Sequence, residues 1–403
     1  MTNRTVLVAG AGVAGVALAF WLRRHGFVPT LVERSATPRD GGYKIDIRGA
    51  ALRVVEEMGL LDAVRARATG VRAGSVVGAS GRRVASMDGD AFGGREHGDA
   101  EVLRGDLQRV LLDATADVEY LWGDSIAELA QVGDAVDVTF ASGARRTFDL
   151  VVGADGLNSR TRRLVFGDGH VRDLGYRVSI FSVPNRLGLD REELTYVSPD
   201  HTVLVYSTAQ DEGAKAMFLF AGDGPVPADS RAYLAEKYRG EGWVVPTLLA
   251  DMAAAPDFYL DAISQVHLDR WSSGRVALVG DAAYCASVAS GQGTSLALVG
   301  AYVLAGELAA ADGDHVAGFA NYEAALRDFV AVNQELGPAN IRRMVLASRA
   351  GVWLSMTFLS LLSRLPGRDR LIAKAVEPIH RAAGAITLRD YADRPTTADL
   401  GVS

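Results

Sequence analysis

The sequence predicts an α/β fold: a doubly wound domain with a β-sheet domain inserted into it and a helical segment toward the C-terminal end. Three observations carry that expectation. The apolar run Val6 to Ala9 enters Gly10-Ala11-Gly12-Val13-Ala14-Gly15, and a second apolar run, Val28 to Val32, ends at Glu33. Two later apolar runs, Leu150 to Gly153 and Val276 to Gly280, also stop in glycine turns, and the residues from about 174 to 264 between them alternate in the manner of β-strands.

The first thirty-odd residues read as strand, turn and helix. Gly10 permits the tight turn, Gly12 lets the backbone approach an anion, and Gly15, beside Ala14, lets helix and strand pack closely. The helix N-terminus offers free N–H groups and positive partial charge, so a pyrophosphate belongs there. Glu33 lies about twenty residues further on, where a carboxylate bonds ribose hydroxyls and repels a ribose phosphate, which favours FAD or NAD over NADP. Near Val71 the α/β rhythm gives way to short β-like runs, and glycine-rich Asp88 to Gly98 reads as a loop. Arg104 to Thr115 has helical spacing, and Asp117 to Leu150 contains alternating stretches. Further on, Thr202 to Ser207 and Met217 to Ala221 read as strands, and Ser230 to Tyr238 and Thr294 to Ala310 as helices. These runs assign residues 1–73, 99–173 and 267–330 to the dinucleotide domain, 74–98 and 174–266 to the sheet domain, and 331–403 to C-terminal helices.

At 403 residues and 49% hydrophobic content the chain can bury a sizeable core. A net charge of -7 without a basic cluster gives no electrostatic footprint for nucleic acid. The single cysteine, Cys285, excludes an intramolecular disulfide and reads as a small packed residue, and no metal-ligand cluster stands out. With no charged leader ahead of the first strand, the cytoplasm is the expected compartment, for a monomer or homodimer. The apolar stretch Ala350 to Leu365 is too short to span a bilayer and reads as a helix packed between domains, with membrane-surface or partner contact as the alternative.

Two further motifs turn the dinucleotide site into a flavin site: Gly153-Ala154-Asp155-Gly156 after one strand, and Gly280-Asp281-Ala282-Ala283, followed by Gly291-Gln292-Gly293 and a helix, after another. With the GxGxxG turn, in this order and spacing, they resemble the single-component FAD-dependent aromatic hydroxylases. That family has the p-hydroxybenzoate hydroxylase fold, and the motifs come nearest to its tetracycline-inactivating members. The resemblance implies that Asp281 bonds a ribityl hydroxyl of FAD, that the segment at Asp155 serves both FAD and the nicotinamide, and that backbone around Gly291, Gly293 and Thr294 faces the flavin ring. It places Arg104 and Arg48, the latter after the Gly41-Gly42 loop, on flavin or phosphate oxygens; Arg34, beside Glu33, joins the same end. The chain departs from the family where Tyr284 replaces a histidine and Val288 a proline, the latter a position that shapes the substrate face of the flavin in the family.

The implied function is an FAD-dependent monooxygenase that uses NAD(P)H and O₂ to oxygenate an aromatic or polycyclic small molecule, a polyketide or antibiotic included. No second GxGxxG exists, so NAD(P)H is expected to dock transiently, with the Gly41–Arg48 loop accommodating a movement of the flavin. Tyr206, Met217 and Phe220 on sheet strands, with Val288 and Ala289, are the candidate substrate contacts; no general base is singled out. The same cofactor residues suit a dehydrogenase without oxygen insertion or a non-catalytic flavin binder, whereas a flavin halogenase lacks support because Trp243 stands outside any WxWxIP helix.

Overall fold

The computed structural model describes residues 4–38, 42–96, 98–362 and 368–391. Its first layer is a six-stranded sheet in the order Ser272–Ser273, Val276–Leu278, Leu150–Gly153, Thr5–Ala9, Val28–Glu33, Glu119–Trp122. All neighbours pair in parallel except the first two. The central strands read as continuous apolar runs because both their faces are covered. On one side the helix Val13–Arg24 packs against the helix Gly293–Ala310. That second helix is apolar all round and almost wholly buried, as a core helix must be. Among the described residues it is the single helix long and apolar enough to cross a membrane, and 83% of it is buried inside the protein.

The second layer is a seven-stranded sheet in the order Tyr259–Val266, Val171–Val183, Ala214–Ala221, His201–Tyr206, Glu192–Ser198, Ala73–Val77, Arg83–Asp88. One face of it packs on the helices Ser230–Lys237 and Val245–Met252 through Phe181, Val203, Phe218, Phe220, Tyr238 and Leu248. The opposite face carries Val178, Leu219 and Ile263 and meets Ile341 and Val345 from the far end of the 30-residue helix His315–Met344. A small pair, Lys44–Ile47 with Ala100–Leu103, links the two layers, and a three-stranded sheet over residues 126–148 flanks the first.

Two expectations change. Asp88 to Gly98 is not all loop: the Asp88 carboxylate caps a short helix, Gly89–Gly93, by accepting from Asp90 N at 2.9 Å. The apolar 350–365 stretch forms a helix, Arg349–Leu362, but it is not packed between domains. Trp353, Leu354, Phe358 and Leu361 stand 57–65% exposed on it.

Candidate flavin and substrate site

The strand Thr5–Ala9 delivers Gly10 at φ +105°, and Gly12 starts the helix Val13–Arg24. A Cβ on Gly10 would lie 2.5 Å from Ala154 O, and one on Gly15 would lie 1.9 Å from Gly10 O, so both positions demand glycine. A Cβ on Gly12 would meet nothing within 4 Å. The helix start has neither a side-chain cap nor an acidic residue in its first turn, so its N–H groups face that open space. Gln108 Nε2 donates to Ala11 O at 2.6 Å and fixes the turn, a support that the motif alone does not reveal. Glu33 sits at the rim: Oε2 accepts from Ala11 N and Oε1 from Ser35 N, each at 3.0 Å. Arg34 is exposed on the outer side of the same strand end. Ala14 and Gly280 belong together, since a Cβ on Gly280 would meet Ala14 Cβ at 2.8 Å. That close approach brings the first glycine turn against the third.

Beyond Gly280, at φ +65°, Asp281 opens a short helix, Asp281–Tyr284. Asp281 is exposed as a residue, yet desolvation of its carboxyl by the surrounding protein raises its pKa, opposed first by a hydrogen bond with the Cys285 thiol and then by the Arg104 guanidinium. Tyr43 is likewise pushed up by burial, within the electrostatic influence of Arg104, Asp281 and Cys285. Arg104 N donates to Tyr43 O at 3.0 Å, which ties the Tyr43 loop to the helix Arg104–Asp113. Gly42 follows at φ +108°; Gly41 lies outside the described residues.

The chain then turns through Ser287, a non-glycine residue at φ +77°, and a 3₁₀ turn, Val288–Ser290, to Gly291 at φ +67°. A Cβ on Gly291 would meet nothing within 4 Å, and one on Gly293 only Asp281 Oδ1 at 3.9 Å. Gln292 is fully buried with both side-chain amide atoms unpartnered, a feature that spacing alone does not disclose. Thr294 begins the long core helix beside it. Asn340 Nδ2 donates to Ala289 O at 3.1 Å, holding the turn from the far side. The Cys285 thiol, raised by burial, sits 3.7 Å from Ser264 O as a packed residue. Tyr284 is also core: its hydroxyl accepts from Tyr322 Oη at 3.0 Å.

Facing this turn is one side of the seven-stranded sheet, whose cross-strand registers stack its residues in rows. Tyr259, Ile180, Met217, Leu204 and Thr195 form one row, and Asp261, Val178, Leu219 and Thr202 the next. Val288 and Ala289 pack against the same apolar cluster as Met217 and Leu204. At the edge of the sheet Tyr259, 47% exposed, donates from Oη to Asp261 Oδ2 at 2.9 Å, and desolvation by the surrounding protein together with that carboxylate raises the phenol's pKa. Neither residue stands out in the sequence, where Tyr259-Leu260-Asp261 is one more strand end. A third row, Lys215, Tyr206 and Glu193, is polar and buried. Lys44 Nζ reaches it, bonding Glu193 and lying 3.3 Å from Glu101 and 5.2 Å from the centre of the Tyr206 ring. Burial works against the Lys44 cation, but the two carboxylates more than compensate and raise its pKa.

Several expected contacts need correction. Phe220 points to the opposite face, into the helix-covered core with Tyr233 and Tyr238, so it lines no cleft. Tyr206 is on the cleft side but wholly buried, its hydroxyl accepting from Lys44 N at 3.2 Å. Asp155 is turned into its own helix: its carboxylate accepts from Arg160 N at 2.8 Å and Thr161 N at 2.9 Å. Arg48 is 3% exposed and turned into an acidic cluster, 2.8 Å from Asp46 and 3.7 Å from Asp99, with Gly93 O accepting from it at 2.8 Å. It is a packed structural cation in this arrangement.

Residues 3–329 match the FAD binding domain family. An uncharacterized protein of Mycobacterium tuberculosis is 48% identical over 84% of this chain and 94% of its own length. A protein of Legionella longbeachae named flavin-dependent monooxygenase is 40% identical over 89% of this chain and 90% of its own. Among solved structures, tetracycline destructase Tet(55) superposes with a TM-score of 0.84 at 38% identity, covering 97% of this chain and 99% of that one. The enzyme HpxO of Klebsiella pneumoniae, solved with FAD and uric acid, shares the fold at a TM-score of 0.75 and 22% identity over 93% and 96% of the two chains.

Proposed function

The chain belongs to the FAD-binding family of flavin-dependent monooxygenases, and from that premise we propose that it uses NAD(P)H and O₂ to oxygenate a polycyclic aromatic of polyketide type, tetracyclines included. The observation that carries this reading is the apolar row Ile180, Met217 and Leu204, which lies opposite the Val288–Gly293 turn and is bounded by the Tyr259–Asp261 pair. A flat, apolar ring system with polar substituents on one edge fits such a floor. The tetracycline destructases of the same fold, 34–38% identical, support the polycyclic class.

The residues fit FAD. The open space at Gly12 and the uncapped helix suit the pyrophosphate, and Glu33 at the rim suits the ribose. Arg104 and Asp281 flank the path toward the ring, where the carboxylate can accept from ribityl hydroxyls. Gln292, with two unpartnered buried amide atoms, and the start of the helix Gly293–Ala310 suit the polar edge of the ring. What FAD supplies when bound is the redox chemistry, taking hydride from NAD(P)H and passing electrons to O₂ so that one oxygen atom enters the substrate and the other leaves as water.

The protein's own contribution is position and dryness. Met217, Val288 and Ala289 exclude water from the ring's substrate side. Tyr259 Oη keeps its proton and orients Asp261, whose carboxylate accepts from an acidic substrate hydroxyl. NAD(P)H consumption, peroxide release and product mass, followed together with a tetracycline and simple phenols as probes, test the proposal. Coupled oxygen insertion into a probe supports it. Stoichiometric peroxide with every probe, or oxidation of a probe whose product has gained no oxygen atom, contradicts it.

A further inference from the structure

The helix Arg349–Leu362 has no buried residue among those described, although it is strongly apolar. It bends 94° away from the long helix before it and touches the sheet edge at Arg83–Asp88 and Glu192–Ser198. Val352, Ser355, Met356 and Leu359 are half-buried on that inner side. On the outer side Trp353, Leu354, Phe358 and Leu361 are 57–65% exposed, and at helical spacing they occupy one arc of about 140°. Nothing in the proposed reaction uses this face.

The segment that carries it is basic in an acidic protein. Residues 342–381 contain eight Lys and Arg against Asp369 and Glu377, while the whole chain carries -7. Arg342, Arg343, Arg349, Arg370, Lys374 and Arg381 are exposed. The next helix, Arg368–Ala383, carries Leu371, 50% exposed, and contacts the Gly89–Gly93 helix, which itself packs on the strands Ala73–Val77 and Arg83–Asp88.

We propose that this face docks on an anionic lipid surface, the helix Arg349–Leu362 lying in the plane of the interface. Trp353 and Phe358 would enter the boundary between headgroups and acyl chains, and the flanking Lys and Arg would sit at the phosphates. At 14 residues the helix is too short to span a bilayer. A symmetric dimer through the same face is disfavoured because it would set the two basic segments against each other. This inference is independent of the substrate assignment.

The test is sedimentation of the FAD-loaded protein with vesicles of equal parts phosphatidylcholine and phosphatidylglycerol, beside vesicles of phosphatidylcholine alone. The anionic vesicles should carry the protein down at low salt and release it as salt rises, with a blue shift of tryptophan fluorescence. Phe358→Asp and the pair Arg370→Glu with Lys374→Glu should each weaken binding at least about tenfold, with flavin content unchanged because these side chains are exposed. Phe358→Leu should retain binding. Absence of binding to anionic vesicles, equal binding to both kinds, or binding untouched by both variants would overturn the proposal. So would a concentration-dependent dimer that Phe358→Asp dissolves, which would give the face to a second copy.

Discussion

At Gly10 to Gly15 the geometry is set by missing side chains: two glycines are closed against backbone, and the third leaves open the space an anion needs. On the sheet floor around Ile180, Met217 and Leu204 every feature is a side chain, and strand pairing sets which side chains become neighbours. The cofactor end is therefore set by close backbone approach, Gly10 against Ala154 and Gly280 against Ala14, while the substrate end is assembled by pairing register. The difference teaches where variation is tolerated. A change at the glycine turn acts on the fold or on FAD according to which glycine is touched, whereas a change on the floor adjusts recognition unless it strands a buried charge.

The sharpest way to break the comparison is to add one methyl at two neighbouring glycines. Gly15→Ala forces a Cβ into the Gly10 carbonyl, 1.9 Å away, and should cost about 4 kcal/mol or more, read as a collapse of the melting temperature without FAD. Gly12→Ala meets no atom and should leave that melting temperature within about 1 kcal/mol of the parent while weakening FAD at least about tenfold. Equal effects from the two variants would erase the distinction.

The second strongest effect lies where the two layers meet. Lys44→Met leaves Glu193 buried without its cation, while Glu101 keeps Arg95 at 2.5 Å, and breaking such a buried pair costs about 3–5 kcal/mol. Denaturant unfolding should show that loss. A double replacement, Lys44→Met with Glu193→Leu, should recover part of it, and no recovery would mean that the cluster is not coupled.

A smaller effect concerns acid. Burial, aided by Arg24, pushes the His25 pKa down to about 4, and Nε2 has no partner. The unfolded chain therefore takes up the proton first. Stability should be full above about pH 6.5 and fall by up to about 3 kcal/mol as pH drops toward 4. His25→Gln should flatten that part of the melting-temperature profile, and an unchanged slope would remove His25 from the account.

The glycine turns, the apolar strands that enter them and the core helix at 293–310 were legible because each depends on residues adjacent in the chain. Phe220 was assigned to the wrong face because Ala214-Lys215-Ala216-Met217-Phe218-Leu219-Phe220 is largely apolar on both sides, so alternation gives no direction. Arg48 read as a flavin contact because, besides the neighbouring Asp46, the groups that hold it, Gly93 O and Asp99, lie far along the chain and meet it only when the strands Lys44–Ile47 and Ala100–Leu103 pair. Asp155 looked available because a turn motif does not say whether its carboxylate faces a ligand or its own helix. Tyr259 and Asp261 were invisible for a related reason: their meaning comes from the rows they complete, and rows exist only in the folded sheet.

Of all these residues, Asp281 and Asp155 make the most direct test of the central claim, that the cleft between the glycine turns and the sheet floor receives the flavin. Both follow a strand and a glycine turn, but Asp281 is an exposed residue whose carboxyl faces Cys285 and Arg104, while the carboxylate of Asp155 is spent on its helix. FAD titration of the apoprotein, followed by quenching of flavin fluorescence, should show Asp281→Ala weakened by about ten- to a hundredfold, the equivalent of one charge-assisted hydrogen bond of about 1.5–3 kcal/mol, with the fold intact. Asp155→Ala should instead lower the melting temperature first. Full retention of FAD by the Asp281 variant would contradict the placement of the flavin in this cleft.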